Sequence, residues 1–315
     1  NIILLVVIIL AVLSYLIYED KDIKYTIKSI ATLVVLIAIV FAGKQLFFQK
    51  NEDLVLDTDS EYSRIWIKKF TNNFGKEYTT LEVDKGYESI ASGQKDLTSD
   101  YLKYYDLFDY YQENAENVLM IGGAAYSYPS YFLEKYKDKK IDVVEIDPKM
   151  TQLAEKYFNL DTQNDRLKIY HEDGRRYINT TQSKYDCILI DAFKGLNVPF
   201  QLTTEEALTS AKNSLNENGI VITNLISALD GKNANFINHE YATYKKVFGN
   251  VKIFKVQNGM FNDDELQNLI LVGFKNNVNE ISNKYEQYQN LLTNEIVDFS
   301  SNSQVVTDDL CQVGI

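Results

Sequence analysis

The residues best suited to chemistry stand at the ends of four short apolar runs. The first run closes Val118-Leu119-Met120-Ile121-Gly122-Gly123-Ala124-Ala125. Glycines after a buried strand let the backbone come close to a ligand, although a tight strand-to-helix turn uses the same residues. The second ends Val144-Glu145-Ile146-Asp147-Pro148, placing a carboxylate roughly 20 residues beyond the glycines, where ribose hydroxyls require an acceptor. Glu145 suits that role, while Asp147 caps the helix that Pro148 opens. The third ends His171-Glu172-Asp173-Gly174; Asp173 either meets an adenine amino group or caps the following helix. The fourth ends Ile188-Leu189-Ile190-Asp191, a carboxylate where substrate would meet cofactor. Asp191 is the candidate general base for an amine attacking an electron-poor carbon beside a sulfonium. The loop Lys194–Thr203 is long enough to cover such a site. His171 is one of two histidines in the chain and has no second ligand at metal spacing, so no metal is expected.

Side chains at these positions need a sheet whose strands all point their carboxyl ends one way. Val118–Ile121, Asp142–Glu145, Leu167–Tyr170, Cys187–Ile190 and Ile220–Thr223 alternate with helix-like segments, the pattern of buried parallel strands under covering helices. Val251–Val256 and Leu269–Phe274 add an antiparallel hairpin. The spacing predicts an α/β domain over 113–278. A small β domain with a linking helix (Leu97–Tyr111) occupies 51–112, and a C-terminal helix and tail occupy 279–315. Glu61–Ile67, Glu77–Val83 and Tyr87–Ile90 read as its strands, with a turn at Asp84-Lys85-Gly86.

Asn1–Tyr18 is almost wholly apolar and long enough to cross a bilayer. A second apolar run, Ile30–Phe48, follows a charged break, so 1–50 reads as a transmembrane hairpin; the rest is expected on the cytoplasmic side because the cofactor it would hold is made there, not because the charges set an orientation. The net charge of −12 argues against a grip on nucleic-acid phosphates and favours a small-molecule partner. Two cysteines in 315 residues exclude a disulfide framework.

Together these segments resemble the spermidine synthase (aminopropyltransferase) family, and more closely its membrane-fused bacterial members. The resemblance runs from about Glu61 to Lys275. It rests on Ser60-Glu61-Tyr62, Gly122-Gly123 after Val118–Ile121, Val144-Glu145-Ile146-Asp147, Glu172-Asp173-Gly174, Tyr185-Asp186 through Ile190-Asp191, and Leu202-Thr203-Thr204-Glu205-Glu206. The tail Thr307-Asp308-Asp309 adds to it. It implies a Rossmann-like class I methyltransferase fold, seven strands with a terminal antiparallel hairpin, and by analogy a homodimer. The donor it implies is decarboxylated S-adenosylmethionine, whose aminopropyl group passes to an amine. Glu145 would hold ribose, Asp173 and Gly174 adenine, Asp191 would accept the proton, and Tyr104 would line the amine pocket.

The chain departs from the family at three places. Where the family reads Gly-Gly-Gly-Asp-Gly-Gly, this chain puts Ala125 at the carboxylate that grips the donor's ammonium. Where the family reads Asp-Ser-Ser-Asp, Lys194 stands in place of the second carboxylate. Ser63 replaces a glutamine. A lysine beside a diammonium repels it. The expectation is therefore an aminopropyltransferase-like enzyme of unassigned acceptor. Methyl transfer from intact S-adenosylmethionine is the alternative, and a membrane-anchored binder without turnover is the third reading. A second carboxylate near Asp191, from Glu205, Asp308 or Asp309, would restore the amine site.

Overall fold

Alternating apolar and polar side chains build the first sheet. In the computed structural model the described residues are 53–84, 87–91 (backbone), 97–112, 114–193, 198–257, 259–278 and 280–310, with scattered helical positions between 27 and 38. Strands β1 (Leu54–Asp59), β2 (Arg64–Thr71), β3 (Glu77–Val83) and β4 (Tyr87–Ala91) pair in the order β1-β2-β3-β4. Ile65, Ile67 and Leu81 point to one face of it, where they pack with Ala125, Met150, Leu153 and Phe158. The sheet thus covers the turn after the fifth strand. Two local expectations are corrected here. β1 escapes sequence reading because Asp57, Thr58 and Asp59 mask its alternation. Residues 61–63, expected as strand, form a turn in which Ser60 Oγ accepts from the amides of Tyr62 and Ser63 (3.1 and 3.0 Å). A short hydroxyl side chain that competes for backbone amides favours a turn over a ladder.

The second sheet has seven strands in the order β10-β11-β9-β8-β5-β6-β7. They are β5 (Asn117–Ile121), β6 (Lys140–Val144), β7 (Leu167–Tyr170), β8 (Tyr185–Ile190), β9 (Leu215–Ser227), β10 (Asn250–Lys255) and β11 (Gln267–Phe274). β5 to β9 run parallel; β11 pairs antiparallel with both β9 and β10. This is the Rossmann-like, methyltransferase-type arrangement expected, with the hairpin inserted so that β11 lies inside β10. Apolar residues fill both faces of the central strands, as burial between two helical layers requires. Val118 and Met120 join Phe108 and Phe132 on one side, while Leu119 and Ile121 join Leu208, Tyr244 and Phe248 on the other. Each fully buried large side chain here contributes about 1.5–3 kcal/mol.

The first face carries α1 (Leu107–Tyr111), α2 (Ser127–Lys135) and α7 (Tyr285–Leu292). The second carries α4 (Gly174–Thr180), α5 (Glu205–Ser214) and α6 (Asn235–Phe248). α3 (Pro148–Phe158) underlies the first sheet. The expected helix over Leu97–Tyr111 is instead a 3-10 helix, Asp100–Asp106, that runs into the short α1. Asp106 is buried there and accepts from the hydroxyls of Tyr128 and Tyr131 (3.1 and 2.8 Å) and from Lys135 (2.7 Å). At the amino edge of the sheet, Asp186 accepts from the amides of Glu116 and Asn117 (2.9 Å each) and from the side chain of Asn216 (2.6 Å), which ties β5, β8 and β9 at their starts.

The expected membrane location is corrected by the structure. Among the described residues no helix is long and apolar enough to cross a bilayer. The two apolar runs on which that expectation rested, Asn1–Tyr18 and Ile30–Phe48, lie outside the described residues apart from scattered positions. From Val55 onward the chain forms one compact unit, separate from the residues before it.

Candidate active site

The strand order reverses at β5, which has β6 on one side and β8 on the other. Open α/β sheets bind ligands in the crevice at such a switch point, beyond the carboxyl ends of the strands. The chain places Gly122 and Asp191 side by side there. The Asp191 amide donates to the Ile121 carbonyl and the Gly122 amide to that of Val144 (2.9 Å each). Gly122 has φ +95°, and a Cβ on it would lie 2.4 Å from the Asp191 carbonyl oxygen. Only glycine fits, for conformation and for space alike.

Asp191 borders a small, open pocket whose walls include Tyr101, Leu102, Met120, Ser127 and Tyr128. Its carboxylate is densely surrounded yet still meets solvent through this opening. Burial lifts its pKa from the ordinary 3.8 to about 7, against the opposing pull of Tyr105, Asn224 and Tyr101. Tyr101 donates to Oδ2 and the Asn224 amide to Oδ1, both at 3.4 Å. The Tyr105 hydroxyl faces the same carboxylate but is buried without a well-aligned partner. Burial, then the charge of Asp191, keeps both phenols protonated. Two further polar atoms lack partners, Asn224 Oδ1 and the Ser127 hydroxyl that lines the pocket. The result is a carboxyl poised near neutrality among neutral donors, the state a general base requires.

The glycine turn keeps its contour with unusual residues. Ala124 and Tyr126 sit at φ +45° and +56°, a left-handed conformation that costs a residue with a side chain about 1–2 kcal/mol. Glu145 stabilises it: Oε2 accepts from the amides of Gly123 and Ala124 (2.8 and 3.0 Å), and Oε1 from that of Asp147 (2.9 Å). Burial raises the Glu145 pKa and these three amides oppose the rise. The Tyr126 hydroxyl meets Thr151 (2.7 Å), which meets Nε2 of the exposed His171 (2.9 Å). Asp173 caps α4 through the Arg176 amide (2.9 Å), and Gly174 is required because a Cβ there would lie 2.5 Å from Ile121 Cγ2. Glu145, Asp173 and Asp191 stand on one rim, after β6, β7 and β8, with β5 and its glycine turn between β8 and β6.

Residues 105–258 match the spermine/spermidine synthase domain. Within and around it the chain is 37% identical over 144 residues to a polyamine aminopropyltransferase of Vibrio vulnificus, covering 45% of this chain and 46% of that protein. It is 28% identical over 205 residues to a probable polyamine aminopropyl transferase of Bifidobacterium longum, covering 65% and 44%. The chain therefore spans about half the length of these curated relatives. A crystal structure of a probable spermidine synthase from Corynebacterium glutamicum superimposes with a TM-score of 0.61 at 22% identity, over 70% of this chain and 80% of that one, and supports the fold.

Some expected site residues are corrected by the structure. Tyr104 does not reach the pocket: its hydroxyl donates to the Lys255 carbonyl and accepts from Asn294 (2.8 Å each). It turns away from the pocket, whereas Tyr101 and Tyr105 face Asp191. Ala125 is not on the pocket wall either, because its methyl is buried with Ile65, Met150 and Leu153. Gly123, Ala124 and Ser127 supply the turn's share of the wall. Neither Glu205 nor Asp309 borders the pocket, and Asp308 pairs with Arg175 at 2.8 Å. Lys194 lies outside the described residues. Among the described residues no group of acidic, histidine and cysteine side chains could hold a metal ion.

Tyr101, Tyr105, Asn224 and Ser127 escaped sequence reasoning. The signal for the tyrosines is their i, i+4 spacing immediately before the domain, and it was obscured by Tyr104 between them. Removing one phenol should weaken the anionic form of Asp191. In Tyr101→Phe the rising limb of the pH–rate profile is expected to move upward by roughly half a unit, the worth of one long hydrogen bond. A profile measured from pH 5 to 9 that does not move removes Tyr101 from this role.

Proposed function

We propose that the chain is an aminopropyltransferase that uses decarboxylated S-adenosylmethionine and a small amine. The carrying observation is Asp191, raised to about 7 beside a turn that only Gly122 can make. An amine nitrogen attacks the carbon next to the sulfonium, a C–N bond forms, and the C–S bond breaks with its electron pair passing to sulfur. Asp191 holds the acceptor's amine and takes the proton it sheds. The thioether leaves as methylthioadenosine. Gly122, Gly123 and Gly174 give the backbone the close approach that an adenosyl group needs. Glu145 reaches a ribose only by releasing loop amides, and Asp173 keeps an adenine contact in addition to its cap. The acceptor presents one amine to Asp191; Leu102, Met120 and Tyr128 give the rest of the pocket an apolar surface.

One feature favours methyl transfer as a second reading. α2 begins without a side-chain cap, so its first amides and the unpartnered Ser127 hydroxyl offer donors at the pocket wall. Such an end suits the carboxylate of intact S-adenosylmethionine better than the bare ammonium of the decarboxylated form. Presenting the protein with each donor and a panel of mono- and diamines separates the readings. Methylthioadenosine formed from the decarboxylated donor alone supports aminopropyl transfer. S-adenosylhomocysteine formed from the intact donor replaces that reading with the second, and the absence of both products overturns the proposal.

A further inference from the structure

The C-terminal segment Gln304–Asp308 crosses three elements of the synthase domain. His239 Nδ1 meets the Gln304 carbonyl (2.6 Å). Val306, 1% exposed, accepts from the Glu205 amide (2.8 Å) and donates to Thr243 Oγ1 (3.0 Å). The Asp308 amide donates to Glu206 (3.0 Å). The segment is thereby laid over the start of α5 and the flank of α6.

Its last contact is of a different kind. Asp308 Oδ1 accepts from Thr204 Oγ1 (2.7 Å) and Oδ2 from Arg175 Nη2 (2.8 Å). Arg175 Nη1 in turn donates to Thr204 Oγ1 (3.1 Å) and to the Gln201 carbonyl (3.3 Å). Exposed ion pairs are worth little, but this guanidinium is only 16% exposed and its rigid fork serves three acceptors at once. The elements it joins are the two flanks of the site. Arg175 is the second residue of α4, next to Gly174, which lies against Ile121 at the end of β5. Gln201 belongs to the 3-10 turn Phe200–Leu202, which closes the segment that follows Asp191.

We propose that Asp308 and Arg175 are positioning residues of this active site, and that the C-terminal strap fixes the turn after Asp191 against the nucleoside side of the rim. The inference rests on the reading that this rim holds an adenosyl donor. Asp191 itself is held by Ile121, Tyr101 and Asn224, none of which the strap touches. Loss of the strap therefore weakens nucleoside binding more than turnover. A merely structural tail would alter stability and leave the split between KM and kcat unchanged.

The test uses the full chain with Asp308→Ala and Arg175→Lys, the latter keeping the charge but not the fork. Hydrogen exchange is read at the amides of Leu202 and Thr203, which bond to the Pro199 and Phe200 carbonyls. Calorimetry with 5′-methylthioadenosine reads the nucleoside site. The expected result is exchange about tenfold faster at those two amides with the central strands unchanged. Methylthioadenosine affinity and donor KM should each worsen about tenfold, with kcat within about threefold. Wild-type exchange at Leu202 and Thr203 in both variants overturns the proposal, as does faster exchange with unaltered methylthioadenosine affinity. Should the wild type itself bind no methylthioadenosine, the aminopropyltransferase reading falls, and the exchange comparison still decides the strap by the same criterion.

Discussion

Asp191→Asn should abolish turnover and strengthen the fold. The amide keeps the shape and the hydrogen-bonding reach of the carboxylate but takes up no proton, so the rate is expected to fall by about 10²–10⁴, the usual worth of a positioned general base. The stability effect follows from linkage. The folded-state pKa is about 7 and the ordinary value 3.8. Below pH 4 both the folded and unfolded chains hold the proton, and the group contributes nothing. Between pH 4 and 7 the unfolded chain releases it while the folded chain retains it, so stability falls as pH rises. Above pH 7 the full penalty is present, on the order of 4 kcal/mol for a carboxyl moved this far. The variant escapes that penalty. Its thermal midpoint should exceed the wild type's at pH 8 and converge with it near pH 4, and the wild type's rate should climb through about pH 7. A variant retaining a tenth of wild-type activity would remove Asp191 as the base, and equal melting at pH 8 would remove the buried charge.

Gly122→Ala should be the most damaging single methyl group in the site. At φ +95° the new Cβ would stand 2.4 Å from the Asp191 carbonyl oxygen and 3.0 Å from Ala192 Cα. These are backbone atoms, which no side-chain rotation can move aside. Left-handed strain adds about 1–2 kcal/mol to the clash, and the total is expected to reach about 3 kcal/mol or more. Relief requires β5 and β8 to separate at the point where Asp191 is aimed. A lower denaturation midpoint at unchanged slope is the predicted signature, together with loss of turnover. Normal stability with normal activity would mean that the turn tolerates another path.

The central strands were legible because a buried parallel strand leaves little choice of residue. Leu167–Tyr170 appears as read, and the other runs differ only at their ends. The rim was legible for the same reason, since a polar residue directly after such a run must emerge at the carboxyl edge. Asp191, Glu145 and Asp173 are all there. Which way each side chain turns was not legible, because that depends on long-range partners. Glu145 faces its own loop because three amides converge on it. Tyr104 faces Lys255 and Asn294, 151 and 190 residues further along the chain. Tyr101 and Tyr105 face Asp191, a partner that lies 90 residues beyond Tyr101. Asp308 went unrecognised as a partner of Arg175 because 133 residues separate them.

Asp186 gives the molecule a direction of softness. Its carboxylate stitches the starts of three neighbouring strands together, so the end of the sheet remote from chemistry behaves like the spine of a book. Pages bound at one margin part most readily at the other. The expected result in hydrogen exchange is earlier opening at the margin where reactants must enter and products leave, with the bound margin still closed.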